Sequence, residues 1–137
     1  MKTRGIFCSV VVALMCLALL TPAVAAQQSA KIDVSAAAIC ESVENREAVN
    51  VGTRFDHSTP RLYCFTKIVG AESPTEVVHV WRYGDVERAR VSLAVNADSW
   101  RTYSSKAIQA HEVGAWHVDV LDTSGNLLET INFEVTQ

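Results

Sequence analysis

The residues best suited to chemistry lie in two short stretches of the sequence. His79, Trp81 and Tyr83 alternate along one stretch, and residues 100–106 (WRTYSSK) form the other. Binding surfaces favour Trp, Tyr and Arg, because these residues combine a large rigid contact area with directional hydrogen-bond donors. Arg101 could hold a carboxylate through two parallel hydrogen bonds or stack on an indole ring. We therefore predict a face that binds a ligand or partner, formed by His79, Trp81, Trp100, Arg101, Tyr103, Ser104 and Lys106.

Two other interpretations of the same residues stay open. A sandwich of two sheets usually buries a Trp, so Trp81, Trp100 and Trp116 could be core residues, and His79 could form a hydrogen bond inside the core. An aromatic platform beside hydroxyl groups would also suit a sugar ring. The hypotheses are thus a binding module for a protein or polymer, a carbohydrate-binding module, and a purely structural envelope domain whose Trp/Arg/His motif is core packing.

Signatures of catalysis and metal binding are missing from the sequence. There is no Gly-x-Ser-x-Gly, no His-Glu-x-x-His and no glycine-rich phosphate loop. His117 and Asp119 lie two residues apart, but two ligands are too few for a metal site. The weakest alternative is a small hydrolase that uses His79 with Ser104 or Ser105. We predict a protein that is not an enzyme and that has no metal site and no cofactor.

The N-terminus has the pattern of an export signal. A positively charged start and an apolar stretch over residues 5–20 precede the small residues at positions 23–26. We expect a signal peptide over residues 1–26 that is cleaved near Ala25 or Ala26. The mature protein would then be periplasmic or secreted, with no stable insertion into the membrane.

The charge balance restricts the kind of partner. Without Lys2 and Arg4, the chain keeps 10 of its 12 basic residues against 15 acidic ones, a net charge of −5. An acidic domain with no basic run is a poor candidate for binding nucleic acid. The expected partner is an unknown envelope protein or glycan.

Two cysteines, Cys40 and Cys64, lie beyond the predicted signal peptide. In an oxidising compartment a pair of cysteines most economically forms one disulfide. Closing a loop of this length would stabilise the fold by roughly 3 kcal/mol in the chain-entropy model. We expect a structural disulfide between Cys40 and Cys64.

After a flexible arm over residues 27–35, alternation of apolar and polar residues predicts a series of short strands. They are expected around Cys40 and over residues 62–69, 75–83, 88–95, 100–108 and 116–120, followed by a last strand with Ile131, Phe133 and Val135 on its inner face. Six or seven strands at this spacing indicate an all-β fold, an antiparallel immunoglobulin-like β-sandwich over residues 36–137.

The chain resembles the bacterial Domain of Unknown Function 2914 family. The matching elements are Tyr63-Cys64-Phe65-Thr66, His79-Val80-Trp81, Trp100-Arg101-Thr102 with Ser104-Ser105-Lys106, Gly114-x-Trp116-x-Val118-x-Val120, Gly125 and Phe133-x-Val135. The chain departs from the pattern at Tyr103, where a second Trp is expected, and at Ala48, where a Pro is usual. The resemblance implies an exported or envelope-associated β-domain with no established activity.

Overall fold

A computed structural model describes residues 31–137, so the predicted signal peptide and its cleavage site lie outside the described residues. Every helix or strand assigned within residues 31–137 is a β-strand. In chain order the strands are β1 (Asp33–Glu44), β2 (Glu47–Gly52), β3 (Arg54–Asp56), β4 (Arg61–Val69), β5 (Thr75–Tyr83), β6 (Val86–Val95), β7 (Ser99–Ala107), β8 (Gly114–Leu121) and β9 (Leu127–Thr136). Over this part of the chain no helix is long and apolar enough to cross a membrane.

The strands form two sheets. The four-stranded sheet has the order β2-β1-β4-β7, and the five-stranded sheet has the order β3-β9-β8-β5-β6. All neighbouring strands are antiparallel except β3 and β9, which pair in parallel. Buried side chains from both sheets meet in a common core, so the described residues have the two layers of a β-sandwich.

The prediction of an all-β fold is confirmed, and the predicted count of six or seven strands is too low. The described residues contain nine strands, because β2 and β3 were not predicted. β3 has only three residues, too few for an alternating pattern to be visible, and its parallel pairing departs from the expected antiparallel arrangement. β1 begins at Asp33, so residues 33–35 belong to a strand and not to the predicted arm.

Alternation along the strands places one set of side chains in the core. In β8, Trp116, Val118 and Val120 are buried, and the residues between them are half-buried. An aromatic group that includes Trp81, Trp116 and Phe133 fills one part of the core, and aliphatic side chains such as Ile68, Val77 and Val95 fill another part. Each fully buried Val or Ile contributes about 1.5–3 kcal/mol relative to an exposed one.

A hairpin loop over residues 122–126 connects β8 and β9. The Asp122 carboxylate accepts hydrogen bonds from the backbone amides of Ser124 and Asn126, which holds the turn in place. Gly125 has φ +83°, a left-handed conformation that glycine adopts without a steric penalty.

The expected disulfide is not present: Cys40 and Cys64 are both free thiols. The strand register explains why. Cys64 lies opposite Ile39 in the β1–β4 pair and points into the core, whereas Cys40 lies opposite Tyr63 and points to the other face of the sheet. Neighbouring side chains on opposite faces cannot form a disulfide without a change in backbone register. Burial raises the pKa of both thiols above the ordinary value.

This arrangement predicts two titratable thiols in protein expressed from residue 27. Unfolded in denaturant without a reductant, the chain should react with two equivalents of Ellman's reagent. The folded protein should react far more slowly, because both thiols are buried and protonated. A chain that yields no thiols after unfolding would contain the disulfide and would contradict the register described above.

Candidate functional site

Three of the seven predicted site residues are buried between the sheets. His79 and Trp81 have no exposed surface, and Ser104 is 5% exposed. His79 and Trp81 lie two residues apart on β5 and point to the same side, toward Ser104 on β7 of the other sheet. The prediction that these three residues belong to a surface is therefore wrong, and the alternative of a polar network in the core is correct for them.

Hydrogen bonds connect the buried residues in one chain that crosses from sheet to sheet. The Trp81 indole N–H donates to Ser104 Oγ at 3.0 Å, and Ser104 Oγ lies 2.7 Å from His79 Nδ1. On the other side of the imidazole, His79 Nε2 lies 3.2 Å from Thr66 Oγ1, which donates to the Thr102 carbonyl at 3.3 Å. We call these five residues the relay.

One proton assignment gives every donor in the relay an acceptor. Because the Thr66 hydroxyl proton goes to the Thr102 carbonyl, Thr66 Oγ1 accepts the proton of His79 Nε2. His79 Nδ1 is then an acceptor, and Ser104 donates to it while accepting from the Trp81 indole. All bonds run in one direction from Trp81 to Thr102, an arrangement in which each bond strengthens the next.

The relay requires a neutral imidazole. A second proton, on Nδ1, would remove the acceptor of the Ser104 hydroxyl. Burial also disfavours the charged ring and lowers the pKa of His79 to about 4. His79 is therefore uncharged at neutral pH and acts as one donor and one acceptor.

The contact between Ser104 and His79 has the distance of a nucleophile and its base, yet its surroundings are those of a core. The Ser104 hydroxyl is buried and already accepts the indole proton of Trp81. A substrate carbonyl would have to displace core side chains to reach it. The neighbouring Ser105 points to the outer face of the sheet, where it accepts a hydrogen bond from Arg61.

The other four predicted residues also lie on β7. Arg101 is exposed and Tyr103 is 49% exposed, and both point away from the core. Trp100 is half-buried and packs against the aliphatic part of the core. Lys106 is half-buried on the inward side near the end of the strand, where its ammonium group reaches the Ala107 carbonyl.

Aromatic and cationic side chains share the outer face of the four-stranded sheet. Tyr103 lies directly opposite Phe65 on β4, and its ring centroid is 6.0 Å from that of Tyr63. Lys67 lies directly opposite Arg101 in the same strand pair. We call these five residues the outer face; Arg101 and Tyr103 are the two of them that the sequence predicted as site residues.

Two important residues were not among the predicted ones. Thr66 is fully buried and completes the relay; the alternation in β4 places it inward, a signal that the sequence does contain. Glu112 is also buried, and one of its carboxylate oxygens accepts a hydrogen bond from Arg88 at 2.8 Å. Its loop lies between two strands, so strand periodicity gives no indication of its burial.

Of the pair His117 and Asp119, the Asp119 side chain is held by neighbouring strands. The Asp119 carboxylate accepts hydrogen bonds from Arg82 at 3.2 Å and from Thr130 at 2.8 Å. Its oxygens are therefore already engaged in an ion pair and a cross-strand contact. Within residues 31–137 no three potential metal ligands come together.

Replacing Ser104 with Ala should destabilise the protein by about 2–4 kcal/mol, because it leaves buried groups of His79 and Trp81 without a partner. The matched control is Ser105→Ala, on the opposite face of the same strand, which should change stability by less than about 0.5 kcal/mol. Urea unfolding at pH 7.5 measures both values. Equal effects of the two substitutions would contradict the relay.

The neutral state of His79 also predicts a pH dependence of stability. In the unfolded chain the pKa of His79 is near 6.5. The contribution of the buried, neutral His79 to the free energy of unfolding is therefore complete above that pH and is lost as the pH falls toward about 4. We expect the free energy of unfolding to decrease by about 2 kcal/mol between pH 7 and pH 5. Asp56 and Asp122 also have lowered pKa values, because they accept hydrogen bonds from Ser58 and Asn126. Their titration changes the free energy of unfolding only below this pH range.

A His79→Gln variant serves as the control for this pH dependence. The free energy of unfolding of this variant should be nearly the same at pH 5 as at pH 7. If the wild type and the variant lose the same amount of stability, other groups cause the effect and the neutral relay is wrong.

Comparison with known proteins gives one family. The family model described as "Protein of unknown function (DUF2914)" matches residues 74–135, which span β5 to β8 and most of β9. The matched segment contains all seven predicted site residues, whereas the Tyr63–Thr66 element lies before it. A search of curated proteins gives no match. The match supports the resemblance seen in the sequence: residues 74–135 of this chain are similar to the DUF2914 family.

Proposed function

We propose that the protein is a non-catalytic interaction module of the bacterial envelope that binds a protein or polymer partner through the outer face. The observation that carries the proposal is Tyr103, which is 49% exposed beside the exposed Arg101 on β7. A large aromatic side chain next to a free guanidinium is typical of the centre of a binding surface. The position of β7 at the edge of its sheet leaves this surface open on one side.

The signal pattern over residues 1–26 supports an exported protein that is cleaved near Ala25 or Ala26 and functions in the periplasm or outside the cell. Two packed sheets are also the basis of the immunoglobulin-like architecture that we propose for the domain. The buried state of the Ser104 hydroxyl argues against hydrolysis by His79 and Ser104.

A second candidate function is a purely structural envelope domain. The observation that favours it is the relay, which accounts for His79, Trp81 and Ser104 by packing and hydrogen bonding alone. It does not account for Arg101 or Tyr103, which point away from the core. A carbohydrate partner is also compatible with the tyrosine pair of the outer face, and the same experiment tests it.

Replacing Arg101 or Tyr103 with Ala should abolish ligand retention and leave the melting temperature within about 2 °C of the wild type, because surface substitutions change stability little. The wild type and both variants would be immobilised and exposed to envelope extract and to a panel of glycans. Retained molecules would be identified by mass spectrometry.

The control is Arg54→Ala, which removes an exposed arginine from β3 in the other sheet. This variant should retain whatever the wild type retains. Retention by all the variants alike would exclude the outer face. If neither the wild type nor any variant retains anything, the interaction module is wrong and the structural function is favoured.

A further inference from the structure

We infer that a cationic cavity at one end of the outer face is an anion site for a ligand that carries neighbouring phosphate or carboxylate groups. The inference rests on the proposed function, since it names the chemistry by which the same face would recognise its partner. Three features carry it: the composition of the cavity walls, the position of the cations, and the lack of partners for them.

The cavity has a volume of about 370 Å³ and is lined by Arg46, Lys67, Ala97, Ser99, Trp100 and Arg101. Three of the six residues are cationic and none is acidic, although the domain as a whole has five more acidic than basic residues. The volume is at the lower end of the range for small-ligand sites, about 300–1,000 Å³. It is large enough for a ligand with more than one anionic group.

The positions of the cations are unfavourable in the absence of an anion. Lys67 and Arg101 lie directly opposite each other in the β4–β7 pair, where like charges repel. Arg46 lies in the two-residue turn between β1 and β2 and lines the same cavity. A bound anion would reverse the repulsion, because each cation would then face an opposite charge.

Within residues 31–137, no carboxylate oxygen lies within 4.0 Å of the charged groups of Arg46, Lys67 or Arg101. Four other arginines, Arg54, Arg82, Arg88 and Arg90, form ion pairs with carboxylates. In the same part of the chain, the side chains of Arg46, Lys67 and Arg101 take part in none of the ion pairs or hydrogen bonds.

The donor set fits oxyanions. Each guanidinium offers a planar fork that matches two oxygens of a phosphate or carboxylate, and the Lys67 ammonium adds a point charge. Charge-assisted hydrogen bonds of this kind are shorter and stronger than those between neutral groups.

Isothermal titration of the purified protein with tripolyphosphate and with citrate tests the inference and distinguishes the two kinds of anionic group. We expect binding of at least one probe at low ionic strength, weakened about tenfold by Arg101→Gln and by Lys67→Gln, as for the loss of one charge-assisted hydrogen bond. The matched control is Arg61→Gln, at the far end of β4, where the guanidinium already donates to Ser105. This control should change the affinity less than about twofold, because Arg61 does not line the cavity.

A charge reversal gives a second, independent readout. Lys67→Glu would place a carboxylate opposite Arg101 and replace a repulsive pair with an attractive one. We expect this variant to lose anion binding and to melt at the same temperature as the wild type or higher. Loss of binding can then not be attributed to unfolding.

The inference is wrong if neither probe binds, or if Arg61→Gln weakens binding as much as Arg101→Gln does. Binding of tripolyphosphate alone assigns the cavity to phosphate groups, and binding of citrate alone assigns it to carboxylates.

The failure of the anion site can be distinguished from the failure of the proposed function. A partner retained through Tyr103 but unaffected by Lys67→Gln contradicts only the anion site, whereas anion binding without any partner on the outer face contradicts only the interaction module.

Discussion

The hydrogen bond between Ser104 and His79 is the constraint on which the arrangement of the two sheets depends. It joins β7 of one sheet to β5 of the other, and the relay extends it to Thr66 on β4. Apolar contacts tolerate small shifts between sheets, but a buried polar group that loses its partner costs about 1–3 kcal/mol. The relay therefore fixes how β5 lies across β4 and β7, while the surrounding aromatic and aliphatic side chains provide most of the stabilisation.

The same constraint separates the core residues of β7 from its exposed residues. Residues that alternate on the inward side, such as Ser104, belong to the core, and those between them, Arg101 and Tyr103, lie on the outer face. The relay holds the inward residues in place, so the outward residues are presented on a rigid strand. The segment that matches DUF2914 thus contains two kinds of residue: His79 and Trp81 position β7 through Ser104, and Arg101 and Tyr103 are the exposed residues to which we assign binding in our proposal.

The sequence alone was sufficient for the elements with a clear period of two, and β5 has the predicted bounds of residues 75–83. Relations between strands were much harder to predict, because they depend on register. The disulfide prediction failed because Cys40 and Cys64 point to opposite faces, which only the β1–β4 pairing reveals. Similarly, both His79 and Trp81 could be assigned to one face of their strand, but their partner Ser104 lies in the other sheet, and no local pattern shows which face is buried.

Charge placement follows the same division between core and surface. Inside the fold, one oxygen of the buried Glu112 carboxylate is paired with Arg88, because an isolated buried charge would be too costly. On the outer face that requirement does not apply, since water screens Lys67 and Arg101 from each other. A cationic cluster can therefore persist in an acidic domain at a small cost in stability. If the proposed anion site is correct, a ligand would recover that cost on binding.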